Sequence, residues 1–123
     1  PLVIADWLKA VRDELMAATA VRPQPPADWR RPSNMGCNCK FCGMIKAFLV
    51  DPRAQTFCLQ AAEFTRSHVM DRIAKYQLDL SSKLHKVGSP YTLILTKTTA
   101  SHERAVKQYD IDVALLGALP VLA

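Results

Sequence analysis

No apolar run in this chain of 123 residues approaches the roughly 18 needed for a membrane-spanning helix. Only four glycines occur, and none belongs to a glycine-rich phosphate loop. No Ser/His/Asp set stands in a recognisable context, and no His-x-Asp…His iron triad is present. His68, His85 and His102 fall on different predicted elements and form no catalytic set. There is no internal repeat, no low-complexity segment and no signal-peptide pattern. Four cysteines are too few for a disulfide scaffold, so an oxidising compartment is not implied and an intracellular setting, cytoplasm or nucleus, is expected. These absences argue against an enzyme and against a membrane protein. They leave a small globular module of one domain, residues 1–123. The chain opens on Pro1 and not on Met, so the expectation is a piece of a longer protein.

Three of the four cysteines are concentrated in Gly36-Cys37-Asn38-Cys39-Lys40-Phe41-Cys42-Gly43. A Cys-x-Cys-x2-Cys run lets the backbone curl round one ion with its amide groups turned towards the sulfurs. Competing uses are weaker. A bridge between Cys37 and Cys39 closes too small a ring. A nucleophilic thiol needs a base and an activating environment, which three adjacent thiols do not supply. A lone group of three cysteines with a distant histidine is unusual for an iron–sulfur cluster. A structural zinc is therefore expected, and it requires four ligands in a tetrahedron. The candidates for the fourth are Cys58, His68, His85 and His102. His68 is the first choice, because it follows Phe64 by four residues, adjoins Val69 and so points to the buried side of a helix. Cys58 is the alternative: a soft ligand, but one placed in a strand where a small thiol packs well. His85 alternates with Leu84 towards the wetter face, and His102 falls in an exposed first turn.

The remaining patterning predicts an α+β fold with about four helices and a β-hairpin. Val3, Trp7, Val11 and Leu15 form one stripe of an amphipathic helix, about 3–20, expected to pack on the core. Four prolines from Pro23 through Pro32 impose an extended connection, with Trp29 as its anchor. Met44 to Leu49 predicts a short helix stopped by Asp51-Pro52. A short extended segment, 55–59, precedes a helix of about 61–77. Leu78 to Leu84 and Tyr91 to Thr98 alternate on either side of Val87-Gly88-Ser89-Pro90, the signature of a hairpin. Ser101 is placed to cap a last helix, about 101–118. The apolar tail beyond it suggests either a place in the core or self-association.

The charge of +5 is uneven. Residues 1–28 carry −1, residues 29–107 carry +8 and residues 108–123 carry −2. A zinc with three thiolates lowers the middle to +7. A basic middle attracts polyanions, nucleic acid above all. Arg30, Arg31, Lys40, Lys83, Lys86 and Lys97 are the candidate phosphate contacts, with DNA binding as the leading expectation. The alternative is a protein-interaction or scaffolding module that uses the first helix or the apolar tail. Lysines on an edge strand also discourage sheet-to-sheet pairing, and Lys40 and Lys46 offset thiolate charge.

The ordered set Pro25-Pro26-Ala27-Asp28-Trp29, Cys37-x-Cys39-x2-Cys42, Phe48-Leu49-x-Asp51-Pro52, Arg66-x-His68, and Gly88-Ser89-Pro90-Tyr91-Thr92-Leu93 through Thr96-Lys97-Thr98 resembles a module at the C-terminal ends of long bacterial and fungal proteins related to 2-oxoglutarate/Fe(II) oxygenases. The likeness runs roughly from Trp7 to Tyr109. It implies a zinc-binding accessory module beside an enzyme, with no iron ligands of its own, and it favours His68 over Cys58 as the fourth ligand. An adjoining oxygenase domain is the partner the resemblance implies.

Overall fold

The computed structural model describes residues 2–120, and the backbone alone at Leu2. The elements run α1 (Leu2–Ala18), α2 (Lys40–Val50), β1 (Thr56–Gln60), α3 (Glu63–Lys75), β2 (Leu80–His85), β3 (Thr92–Lys97) and α4 (Ala100–Ala118). The α+β expectation holds, and the extended segment after α2 joins the hairpin to make a three-stranded antiparallel sheet. The strand order is β1-β3-β2. The chain divides into two compact units. One is Pro26–Ser101; the other combines the chain up to Pro25 with the chain from His102 onwards. The end of the apolar tail, Val121-Leu122-Ala123, lies outside the described residues.

The unit Pro26–Ser101 has a conventional core. Leu93 and Leu95 of β3 alternate inwards with Lys97, while Thr92, Ile94 and Thr96 face the other way. This alternation is what the period of two along a strand requires. Leu59 of β1, opposite Leu93, joins the same inner face. Against it pack Ile45, Phe48 and Leu49 of α2 and Val69 of α3, with Met35 filling in from the loop before the cysteines. Phe48 and Phe57 meet at 5.4 Å between ring centroids, in the range where aromatic pairs attract.

Local chemistry fixes the ends of these elements. Gly36 has φ of +62°, and a Cβ placed there would lie 1.9 Å from the Tyr76 hydroxyl. Both the left-handed backbone and the close approach of α3 therefore require glycine. The helix α4 starts one residue earlier than Ser101 suggested. The Thr98 hydroxyl accepts from the Ala100 N–H, and Ser101 has another role. Its N–H and hydroxyl both donate to the carboxylate of Asp79, which is buried. The Asp79 carbonyl also accepts from the Thr98 N–H. One buried carboxylate thus ties the start of β2 to the start of α4, and its charge strengthens each bond.

In the other unit no described residue of α1 or α4 is buried. Of the α1 stripe, Val3 and Trp7 are exposed, Trp7 by 63%, while Val11 and Leu15, with Leu8 beside them, are half-buried. Polar contacts join the two chain ends within this unit. Arg22 pairs with Asp110 at 3.3 Å and lies 5.5 Å from the Tyr109 ring centroid, and Arg12 donates to the Pro120 carbonyl.

Candidate metal centre

The cysteine run is held by the entry to α2, which begins inside the run and not after it as the Met44–Leu49 pattern suggested. Cys39 is the N-cap, in extended conformation, and its sulfur accepts from the Cys42 N–H at 3.4 Å. Its carbonyl accepts the Gly43 N–H at 2.8 Å, the first bond of the helix. Upstream, the Asn34 side chain accepts from the Gly36 N–H. Downstream, Lys46 donates to the Asn38 side chain at 2.8 Å. A cysteine at a cap position is therefore both a ligand and a helix-starting device, with its sulfur at the positive end of the helix dipole.

His68, in the middle of α3, completes the group. Its Nε2 lies 3.4 Å from the Cys37 sulfur, 3.7 Å from that of Cys39 and 3.4 Å from that of Cys42. All four ligand atoms lie within 4.8 Å of one another. A sulfur and a nitrogen bound to the same tetrahedral zinc stand about 3.6 Å apart, given Zn–S of ~2.3 Å and Zn–N of ~2.0–2.1 Å. The three distances bracket that value, so the donor set and its spacing fit zinc. The structure thus brings together Cys37, Cys39, Cys42 and His68, a cluster that can hold a metal ion such as zinc. Cys58 is exposed in β1, opposite Ile94, and outside the cluster. His85 is exposed at the end of β2, and His102 belongs to the other unit.

The sulfurs are not equivalent. The Cys42 N–H, followed by the Cys42 thiol, holds the exposed Cys39 thiol down at about 6. Burial, together with hydrogen bonds to Cys39 and Cys37, pushes the Cys42 thiol up to about 12. One sulfur thus favours the thiolate and another the thiol, whose proton a bound metal would displace.

The basic residues separate sharply. Arg31 is only 6% exposed; its guanidinium donates to the carbonyls of Thr98, Asp28 and Arg30 and lies 5.3 Å from the Trp29 ring. Lys97 is 4% exposed; its ammonium donates to the Asp51 carbonyl and sits 4.5 Å from the Phe48 ring centroid. Burial also pushes the Lys97 pKa down. Both residues are therefore corrections to the phosphate-contact set. Their charges are turned inwards, because the loop and β3 have backbone carbonyls to satisfy there. Arg30, Lys40, Lys83 and Lys86 remain exposed. Trp29 is half-buried, and its backbone N–H donates to the Pro52 carbonyl, which fixes the proline-rich loop just beyond α2.

Beside the cluster opens a recess of about 340 Å³, lined by Cys37, Cys39, Phe41, Phe64, Thr65 and His68. Phe64, read from the sequence as an inward-facing position, is 86% exposed. The signal was present in the chain: a helical residue four before His68 shares its face, so Phe64 lines the recess with the cluster and not the core.

No protein-family model, no curated protein and no solved structure matches the chain.

Proposed function

We propose that the unit Pro26–Ser101 is a structural-zinc module that binds nucleic acid through its basic surface, as an accessory to an oxygenase-related enzyme. The observation that carries the zinc part is the convergence of three sulfurs and one imidazole at distances suited to a single tetrahedral ion. Four protein ligands leave no open position for a reactive water, so the ion's role is to join α2 to α3 and not to catalyse. Support for the nucleic-acid part is electrostatic. This unit holds eleven Lys and Arg against five Asp and Glu, a balance of +6, while the rest of the chain has five against six, a balance of −1. A zinc with three thiolates leaves the unit at +5. Arg30, Lys40, Lys83 and Lys86 are the exposed cations assigned to phosphate.

Metal analysis of the purified protein tests the first part, with one zinc per chain as the expected result. Binding to single- and double-stranded DNA over a salt series tests the second. Affinity should fall steeply and linearly in log–log form, since each phosphate contact releases counterions. Absence of binding to either DNA at low salt removes the nucleic-acid reading and leaves the docking alternative. That alternative has its own observation, the exposed Val3, Ile4 and Trp7 on α1, and it predicts association that is insensitive to salt.

A further inference from the structure

We propose that the recess beside the metal cluster seats an unpaired base of a single-stranded nucleic acid, with Phe64 as the ring on which the base stacks. This rests on the nucleic-acid reading above and narrows it to one strand type and one place.

Among the described residues Phe64 is the most exposed large hydrophobic side chain, at 86%. It is the second residue of α3. Val69 of the same helix is fully buried and Ile73 packs against the core, so α3 has an inward face that Phe64 does not share. Phe64 instead lines a recess of about 340 Å³ whose other aromatic lining residue is Phe41. Phe41 is half-buried and packs against the core, so its ring is held in position. The cluster's own Cys37, Cys39 and His68 complete the lining, together with Thr65, which carries a hydroxyl.

The size and chemistry of this recess select its occupant. The volume lies near the lower end of ligand-sized pockets, roughly 300 Å³, which suits one planar ring system and not an extended ligand. Two aromatic walls favour a flat π-face. The surplus positive charge of the unit favours an anion, and Lys40 is exposed with its ammonium 6.0 Å from the Phe41 ring centroid. A flat aromatic group carried on a polyanion is a nucleobase. It must be unpaired, because a duplex keeps its base faces stacked and exposes them only at an energetic cost. Stacking of this kind tolerates any base, since each has a π-face. An apolar protein side chain fits the walls but makes no use of the surrounding charge.

The test uses the zinc-loaded chain with a fluorescein-labelled oligothymidylate and a labelled duplex of equal length, read by anisotropy over a salt series. The wild type should bind the single strand more tightly than the duplex. Phe64→Ala should weaken single-strand binding about tenfold, the usual scale for one stacked base. It should leave duplex binding and the salt slope unchanged, because no charge is lost, and Phe64→Trp should restore the affinity. The Phe64→Ala melting temperature should match the wild type, since the side chain is exposed. If Phe64→Ala binds the single strand as the wild type does, the stacking site is overturned while the nucleic-acid reading stands. An equal loss on both DNAs also overturns it. If the wild type binds neither probe, both proposals fall together, and the recess is left to an apolar protein segment.

Discussion

The two units use apolar sequence in opposite ways. In Pro26–Ser101, Ile45, Leu49, Val69 and Leu95 are completely buried by neighbours from four elements. In the helices α1 and α4, side chains of the same kind, such as Val3, Val113 and Leu115, stay exposed, and no described residue is more than half-buried. The difference shows what helical periodicity does and does not determine. It places apolar side chains on one face. Burial of that face needs a second surface, and in Pro26–Ser101 the sheet and the cysteine run provide it.

Removal of the metal should sharpen this comparison most. Zinc sites of this ligand type contribute about 10–16 kcal/mol of apparent binding free energy at neutral pH, and much of it is folding free energy. Chelation should therefore abolish hydrogen-exchange protection in α2, α3 and the sheet, while exchange in α1 stays as it was. Equal loss of protection in α1 would show that the units unfold together. The pH dependence follows from the two displaced thiols. With Cys39 at about 6 when folded against 9.0 unfolded, its contribution to the metal-free fold is complete above 9 and drains away as pH falls to 6. Cys42, raised to about 12, does the reverse: its contribution is complete below 9 and is lost as pH rises to 12. Zinc binding must additionally displace a proton from Cys39 only below about 6. A plot of log zinc affinity against pH should therefore steepen by one proton there. An unchanged slope through that region would refute the assignment of Cys39.

Side-chain truncation comes next. Leu95→Ala in the sheet should cost about 3 kcal/mol, because its site is closed on all sides. Trp7→Ala in α1 should change stability by under about 0.5 kcal/mol, since its ring is already in solvent. Chemical denaturation of each variant measures both. A comparable cost for the two would break the comparison and mean that the α1 face is covered in solution.

How much of this was legible depends on which constraint governs each residue. The metal quartet could be read because its chemistry is self-contained: three thiols at fixed spacing demand a fourth donor, and His68 lay on the helix most suited to deliver it. The strands were legible from their alternation. Arg31 and Lys97 were misread because a basic side chain carries no local mark of the carbonyls it will meet. Arg31 finds Thr98, sixty-seven residues away, and Lys97 finds Asp51, forty-six away. Asp79 was missed for the same reason, since its partner Ser101 lies twenty-two residues on. Periodicity alone turns Phe64 inwards, whereas the face it shares with His68 turns it to the recess beside the cluster.

The two kinds of cation give a prediction of intermediate size. Arg31→Ala leaves three carbonyls without their donor and removes a buried charge-assisted network, so it should cost about 2 kcal/mol. It should leave the salt slope of DNA binding unchanged. Lys83→Ala, on the exposed face of β2, should leave stability unchanged and reduce that slope by about one. Thermal melts and salt titrations on the same pair of variants separate the roles. A change of slope in Arg31→Ala would return that residue to the phosphate-contact set.

The smallest effect belongs to the ion pair between Arg22 and Asp110. The two side chains are 55% and 61% exposed and stand 3.3 Å apart. At that exposure water screens most of the attraction, and ordering two mobile side chains offsets part of what remains. A double-mutant cycle with Arg22→Ala and Asp110→Ala should give a coupling of about 0.2–1 kcal/mol, shrinking further at high salt. The nearby Tyr109 ring, 5.5 Å from the guanidinium, adds at most a contribution that Tyr109→Leu isolates. A coupling well above that range that survives high salt would have one physical reading. The pair would then be shielded from water by a surface laid over it, and the helices of this unit would have to be treated as an interface and not as a solvated pair of arms.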